Sequence, residues 1–258
     1  MVIITQVHTM KFNYSKQFVS LVERMSQRDE EDLKFIGFGN PNAKILIIAK
    51  EASIDKKDEQ YTREIKNNID DWHKNIDESF SQEDVCKWDC DEEFNPLYPY
   101  KGRLNKICRR NEDNGGTSAT WYNYQKLVDK ILKRPKNEYI DFLEHCFITE
   151  LSTEVRPYSG GYSEATQRSI DIRCKELLSD DFFRSFPIVI VACGHYLDMY
   201  NIDLEKIFNQ KYIRMEKDNK LWLNIHEKDG RLLIHTRHLA MCSNALIDMI
   251  ADNVQKFL

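Results

Sequence analysis

Apolar residues recur along the chain in two rhythms. Phe12, Phe18, Leu21, Val22 and Met25 return every three or four positions, which predicts an amphipathic helix over 14–28. Gly37, Gly39, Asn40 and Pro41 form a turn cluster. The run 44–49, Lys-Ile-Leu-Ile-Ile-Ala, is short, unbroken and β-branched, the pattern of a strand buried on both faces. Helical spacing returns at Trp121, Tyr124, Leu127, Val128 and Ile131, with Thr117, Ser118 and Thr120 as candidate N-caps. A second strand is predicted over 147–151, followed by a loop containing Arg156-Pro157 and Ser159-Gly160-Gly161. Ser163 opens a helix with Ile170, Cys174, Leu177 and Leu178 on one face, and 188–194 reads as a third buried strand. Segments 221–226 and 232–235 flank Asp229-Gly230, a hairpin signal. A last helix from about 243 turns Leu246, Ile250, Val254 and Phe257 inward.

Buried strands alternating with amphipathic helices predict one domain over 1–258, a three-layer α/β/α sandwich around a mainly parallel sheet. Residues 52–95 break the rhythm. They are polar, dense in Asp and Glu over 77–93, and read as a solvated helical insertion or, alternatively, a lid. In parallel sheets ligands sit outside the carboxyl ends of the strands. That rule nominates Glu51, Glu150, Gly194-His195 and His235-Thr236-Arg237-His238.

Composition narrows the function classes. With 37 Lys and Arg against 42 Asp and Glu, the net charge of −5 excludes a broadly basic nucleic-acid coat but allows local basic patches. Nine Gly and six Pro are too few for a low-complexity or collagen-like chain. No apolar run approaches the roughly 20 residues that span a bilayer. Seven cysteines without framework spacing suit reduced thiols, and the first ten residues carry no signal-peptide pattern, so a cytoplasmic protein without membrane contact is expected.

Four strand-end segments resemble the uracil-DNA glycosylase superfamily, above all its iron–sulfur branch. Ala49-Lys50-Glu51-Ala52-Ser53 is similar to that branch's Gly-Glu-Ala-Pro-Gly, and Pro99-Tyr100-Lys101-Gly102-Arg103 to its Pro-Phe-Val-Gly-Arg. The stretch from Phe147 through Arg156-Pro157 to Gly194 resembles its strand ending Thr-Asn-Val, Arg-Pro loop, helix and Gly-ended strand. His235-Thr236-Arg237-His238-Leu239 stands where the superfamily has His-Pro-Ser-Pro-Leu. Only Cys174 matches one of the branch's four cysteines, so no cluster, and no other cofactor or metal, is expected.

The resemblance implies a DNA glycosylase, which flips a base out of the stack and hydrolyses its N-glycosidic bond. Glu51 would aim and activate water at C1′, and His235, neutral, would donate a hydrogen bond to the base O2 as charge develops there. Tyr100 would stack on the base. Lys101, Arg103, Lys106, Arg109 and Arg110 would neutralise phosphates. Arg156, Ser159 and Arg237 would track the backbone or fill the gap left by the flipped base. The partner would be DNA and the enzyme a monomer.

Glu150 replaces the Asn that reads uracil. An ionised Glu only accepts hydrogen bonds, which suits the N4 amino group of cytosine and opposes the O4 of uracil. Ordinary cytosine cannot be the target in a cell that depends on it. A modified cytosine, such as the hydroxymethylated or glucosylated base of some phage DNAs, is therefore the expected substrate, with antiviral defence as the role. A raised pKa would instead let a neutral Glu150 donate to O4 and admit uracil, as in base-excision repair. A non-catalytic nucleic-acid-binding module is the other alternative. Rival chemistries are thinner: His235-x2-His238-x3-Cys242 lacks evident further zinc ligands, Cys86-x3-Cys90 lacks a second pair, and Cys193 reads as a small buried hydrophobe. No Gly-x-Ser-x-Gly elbow or Gly-x4-Gly-Lys loop occurs.

Overall fold

The computed structural model describes residues 12–85, 94–99, 118–137, 139–157 and 160–258. Seven strands form one sheet: β1 (Phe38–Gly39), β2 (Ile45–Ala49), β3 (Cys146–Glu150), β4 (Ile188–Ala192), β5 (Tyr212–Asp218), β6 (Leu221–Lys228) and β7 (Arg231–Thr236). Their order is β1-β3-β2-β4-β7-β6-β5. The four central strands β3, β2, β4 and β7 run parallel, and β1, β6 and β5 add antiparallel margins. The expected parallel sheet is thus the middle of a mixed one.

β2, β3 and β4 are buried at every position, as their unbroken apolar runs require. β6 and β7 meet at Asp229 and Gly230, with φ of 52° and 71°, so the hairpin signal marks a tight turn with both central residues left-handed. β5 went unrecognised in the sequence. Its residues mix apolar and charged without strict alternation and lie on an open margin where neither face is buried, so no inward stripe marks it.

The longer helices are α1 (Lys16–Ser26), α2 (Asn68–Glu78), α3 (Ala119–Ile131), α4 (Glu164–Ile172) and α5 (Asn244–Gln255). Four of them start on a serine cap: Ser15, Ser118, Ser163 and Ser243 each accept a backbone N–H from the first turn. Phe147 packs against Phe18 of α1, Trp72 of α2 and Phe182. Its neighbour Cys146 points to the other face, where Tyr124 of α3 lies. Helices therefore cover both faces of the sheet, an arrangement compatible with an α/β sandwich.

The polar stretch 52–95 corrects its sequence reading. Tyr61, Ile65, Ile69, Trp72 and Val85 are buried in the core, and Trp72 donates its indole N–H to Gly37 O at 2.9 Å. Few but large apolar residues, set among carboxylates, anchor the described part of this segment. That described part is not a solvated appendage.

Candidate active site

The four parallel strands all end at one edge, where the chain sets Glu51 after β2, Glu150 at the end of β3, Gly194 to Tyr196 after β4, and His235 to His238 around the end of β7. Main-chain bonds lace the two loops beyond β2 and β3 together. Leu151 N donates to Ala49 O, Ser152 N to Lys50 O and Arg156 N to Ala52 O, and Ser53 Oγ donates to Pro157 O.

Glu51 is buried, and its two carboxyl oxygens are unequal. Oε1 accepts from the Tyr196 hydroxyl at 2.8 Å and from Arg156 Nη2 at 3.3 Å, whereas Oε2 is buried and takes no hydrogen bond from the protein. Burial pushes the Glu51 pKa up; the Tyr196 hydroxyl, Arg156 and Lys50 pull it back. Arg156 also donates to the Tyr196 oxygen at 2.8 Å and to the carbonyls of Gly160 and Gly161. Lys50 Nζ lies 4.4 Å from the centre of the Tyr196 ring. Glu51, Tyr196 and Arg156 form a closed triangle, so the guanidinium assigned to DNA from sequence is turned inward onto the carboxylate.

His235 accepts at Nδ1 from Asn224 Nδ2, 3.2 Å away, and its Nε2 lies 2.9 Å from Gly194 O. A carbonyl only accepts, so Nε2 carries the proton and the ring is neutral. Burial pushes its pKa down to about 4. The neutral histidine expected at this position is present, but the N–H assigned to the base is engaged by Gly194. Arg237 is exposed beyond the strand, and His238 caps the next turn by accepting Ala240 N.

Glu150 departs from the ionised form expected of it. It is 8% exposed, and one oxygen, Oε2, has no hydrogen-bond partner. Burial raises its pKa from 4.5 to about 8, more than Arg173 lowers it, and the Glu51 charge raises it further. At neutral pH it is predominantly a carboxylic acid. Arg173, fully buried, donates instead to Glu150 O, Asp32 O, Phe35 O and Thr149 Oγ1. It fixes the backbone at the end of β3 and gives the Glu150 carboxyl no hydrogen bond.

Tyr100, Lys101, Arg103, Lys106, Arg109, Arg110 and Ser159 lie outside the described residues, as do Cys86 and Cys90. Among the described residues no group of three or more His, Cys, Asp and Glu could hold a metal ion. In the His235, His238, Cys242 spacing, both His235 nitrogens are already engaged. Cys193 is fully buried, and burial pushes its thiol pKa up, so it is no nucleophile. Tyr196 was missed in the sequence. The available signal was its place just past the Gly that ends a buried strand. No family model matches the chain, and no curated protein matches it.

Proposed function

We propose that the protein is a DNA glycosylase of the uracil-DNA glycosylase type. It would hydrolyse the N-glycosidic bond of a flipped non-standard pyrimidine and leave an abasic site. The observation that carries this reading is Glu51: a buried carboxyl group at the edge where parallel sheets bind ligands, with one oxygen held by Tyr196 and Arg156 and the other buried without a hydrogen bond from the protein. Water bound at Oε2 loses its proton to the carboxylate as its oxygen bonds to C1′, and the negative charge favours the oxocarbenium character of the sugar. His235 brings a neutral donor to the same edge. To serve the base O2, its Nε2–H shifts away from Gly194 O. Tyr100 and the basic segment from Lys101 to Arg110 supply stacking and phosphate contact in this reading, and the enzyme acts as a monomer without a metal.

The preferred substrate is a modified cytosine of the hydroxymethylated or glucosylated kind, and the role antiviral defence. A carboxyl group at position 150 accepts from the cytosine N4 amino group in either protonation state, whereas only its neutral form can donate to uracil O4. The neutral state of Glu150 favours uracil as the second reading, and one assay separates the two. Duplexes carrying uracil, 5-hydroxymethylcytosine or its glucoside are incubated with the protein, then treated with alkali to cut abasic sites. Cleavage of the cytosine derivatives supports the reading, cleavage at uracil alone makes this a repair enzyme, and DNA binding without cleavage makes it a binding module.

A further inference from the structure

Glu150 lies beside Ala49 in the parallel ladder, and Glu51 follows two residues after Ala49 on the neighbouring strand. The groups facing it come from several elements. Glu51 beyond β2 and Glu64 of the π-helical segment Thr62–Lys66 add negative charge, and the Ala52 N–H donates to its carboxyl. Tyr124 of α3 stands close enough for the two to oppose each other's ionisation. The nearby cation, Arg173, spends its four hydrogen bonds on three main-chain carbonyls and the Thr149 hydroxyl, none on the carboxyl. A carboxyl group so buried, with one oxygen unpaired and a second carboxyl close by, holds its proton. Burial raises the Glu51 pKa too, but Glu51 has what Glu150 lacks: hydrogen bonds to its carboxyl from a phenol, Tyr196, and a guanidinium, Arg156, with the Lys50 ammonium also pulling its pKa down. Two neighbouring carboxyls in surroundings this unequal are the pattern of an acid and a base.

We propose that Glu150 is the general acid of base release, giving its proton to ring N3 of a flipped cytosine-type base as the N-glycosidic bond breaks. The proposal rests on the glycosylase reading and fixes which pyrimidines it serves. Uracil departs with its negative charge shared by two carbonyl oxygens. Cytosine has an amino group in place of one of them and leaves less readily as an anion, so a proton at N3 removes that handicap. His235 cannot supply it, since a neutral imidazole is a far weaker acid than a carboxylic acid.

The step balances. The Glu150 O–H bond breaks and its proton bonds to N3, while the N1–C1′ pair leaves with the base as a neutral cytosine tautomer. Water oxygen bonds to C1′, and the water proton goes to Glu51. Glu150 ends ionised and Glu51 protonated, and exchange with solvent restores both. General acid catalysis of this kind contributes about 10²–10⁴-fold.

The test is single-turnover base release from duplexes carrying 5-hydroxymethylcytosine or its glucoside, between about pH 5.5 and about pH 9.5, by wild type and Glu150→Gln. Glutamine keeps hydrogen bonds to the base but has no proton to give. The wild-type rate is expected to fall about tenfold per pH unit above about pH 8. Glu150→Gln should be slower by about 10²-fold or more, lose that alkaline limb and bind DNA as before. A variant within about threefold of wild type, or one that keeps the limb, overturns the proposal while the glycosylase reading stands. Wild type that releases no pyrimidine from any DNA removes both. The carboxyl ¹³C shift of Glu150 gives a readout free of activity: a neutral group at pH 7 is expected, and an ionised one sinks the proposal whatever the rates.

Discussion

Tyr196 touches both Glu51 and Arg156 with one hydroxyl, so a single oxygen atom decides which carboxylate lone pairs remain for water. Tyr196→Phe keeps the ring against Tyr200 and under Lys50 but deletes that atom. Loss of a hydrogen bond that holds the Glu51 pKa down should move the acidic limb of the rate profile to higher pH, with DNA affinity unchanged. An unmoved limb would mean the tyrosine only packs. Glu51→Gln should lower base release by about 10²–10³-fold with binding and unfolding temperature retained, as quench-flow and binding assays would show. Glu150 makes a separate prediction about stability. Between pH 4.5 and about 8 the folded chain keeps a proton that the unfolded chain has released. Its contribution is therefore full below 4.5 and is lost as pH rises through about 8, by up to about 1.4 kcal/mol per pH unit across the window. Denaturant titrations of Glu150→Gln should show that slope removed. Sequence made the positions of Glu51, Glu150 and His235 legible, because each follows or ends an apolar run. It could not show the protonation of Glu150 or the inward turn of Arg156, since both depend on partners distant in the chain.

Among the elements, β1 is the tightest fit. Gly37, just before it, has φ of +139°, and a Cβ there would lie 2.2 Å from Ile148 O of β3. Gly37→Ala should cost more than about 2 kcal/mol, measurable as a shift in denaturant midpoint, because neither backbone can retreat. Gly37 O also accepts from the Trp72 indole, which ties α2 to the same margin of the sheet. Trp72→Ala should destabilise the fold by about 3–5 kcal/mol, the expectation for a large buried aromatic and not for a residue in a solvated insertion. The elements legible in the sequence were those with a dense apolar signature, such as β2, β4, α1 and α5. α2 hid because Ile69 and Trp72 are diluted by five acidic or amide neighbours between 67 and 75. β5 hid because an exposed margin strand is held by its ladder with β6 and has no core-facing stripe to display.

At the scale of the whole molecule, an acidic chain must meet a polyanion through a local patch. With a net charge of −5, DNA affinity in the proposed function rests on segments such as 101–110. Reversing Lys106, Arg109 and Arg110 to Glu should weaken binding to every sequence alike and flatten its dependence on salt, because fewer counterions are released. Fluorescence anisotropy at several salt concentrations would measure both effects, and an unchanged salt slope would place the DNA elsewhere. Arg173 has a further consequence at this scale. The scaffold grips position 150 by its main-chain carbonyl, at 3.1 Å, and leaves one side-chain oxygen without a partner. Structural duty and chemical duty are thereby assigned to different atoms of one residue. Such a division makes the position a changeable part: Glu150→Asn or Glu150→Gln should fold as well as the parent while altering which pyrimidines are released. A single substitution there would change the group presented at the strand edge and leave the sheet beneath it untouched.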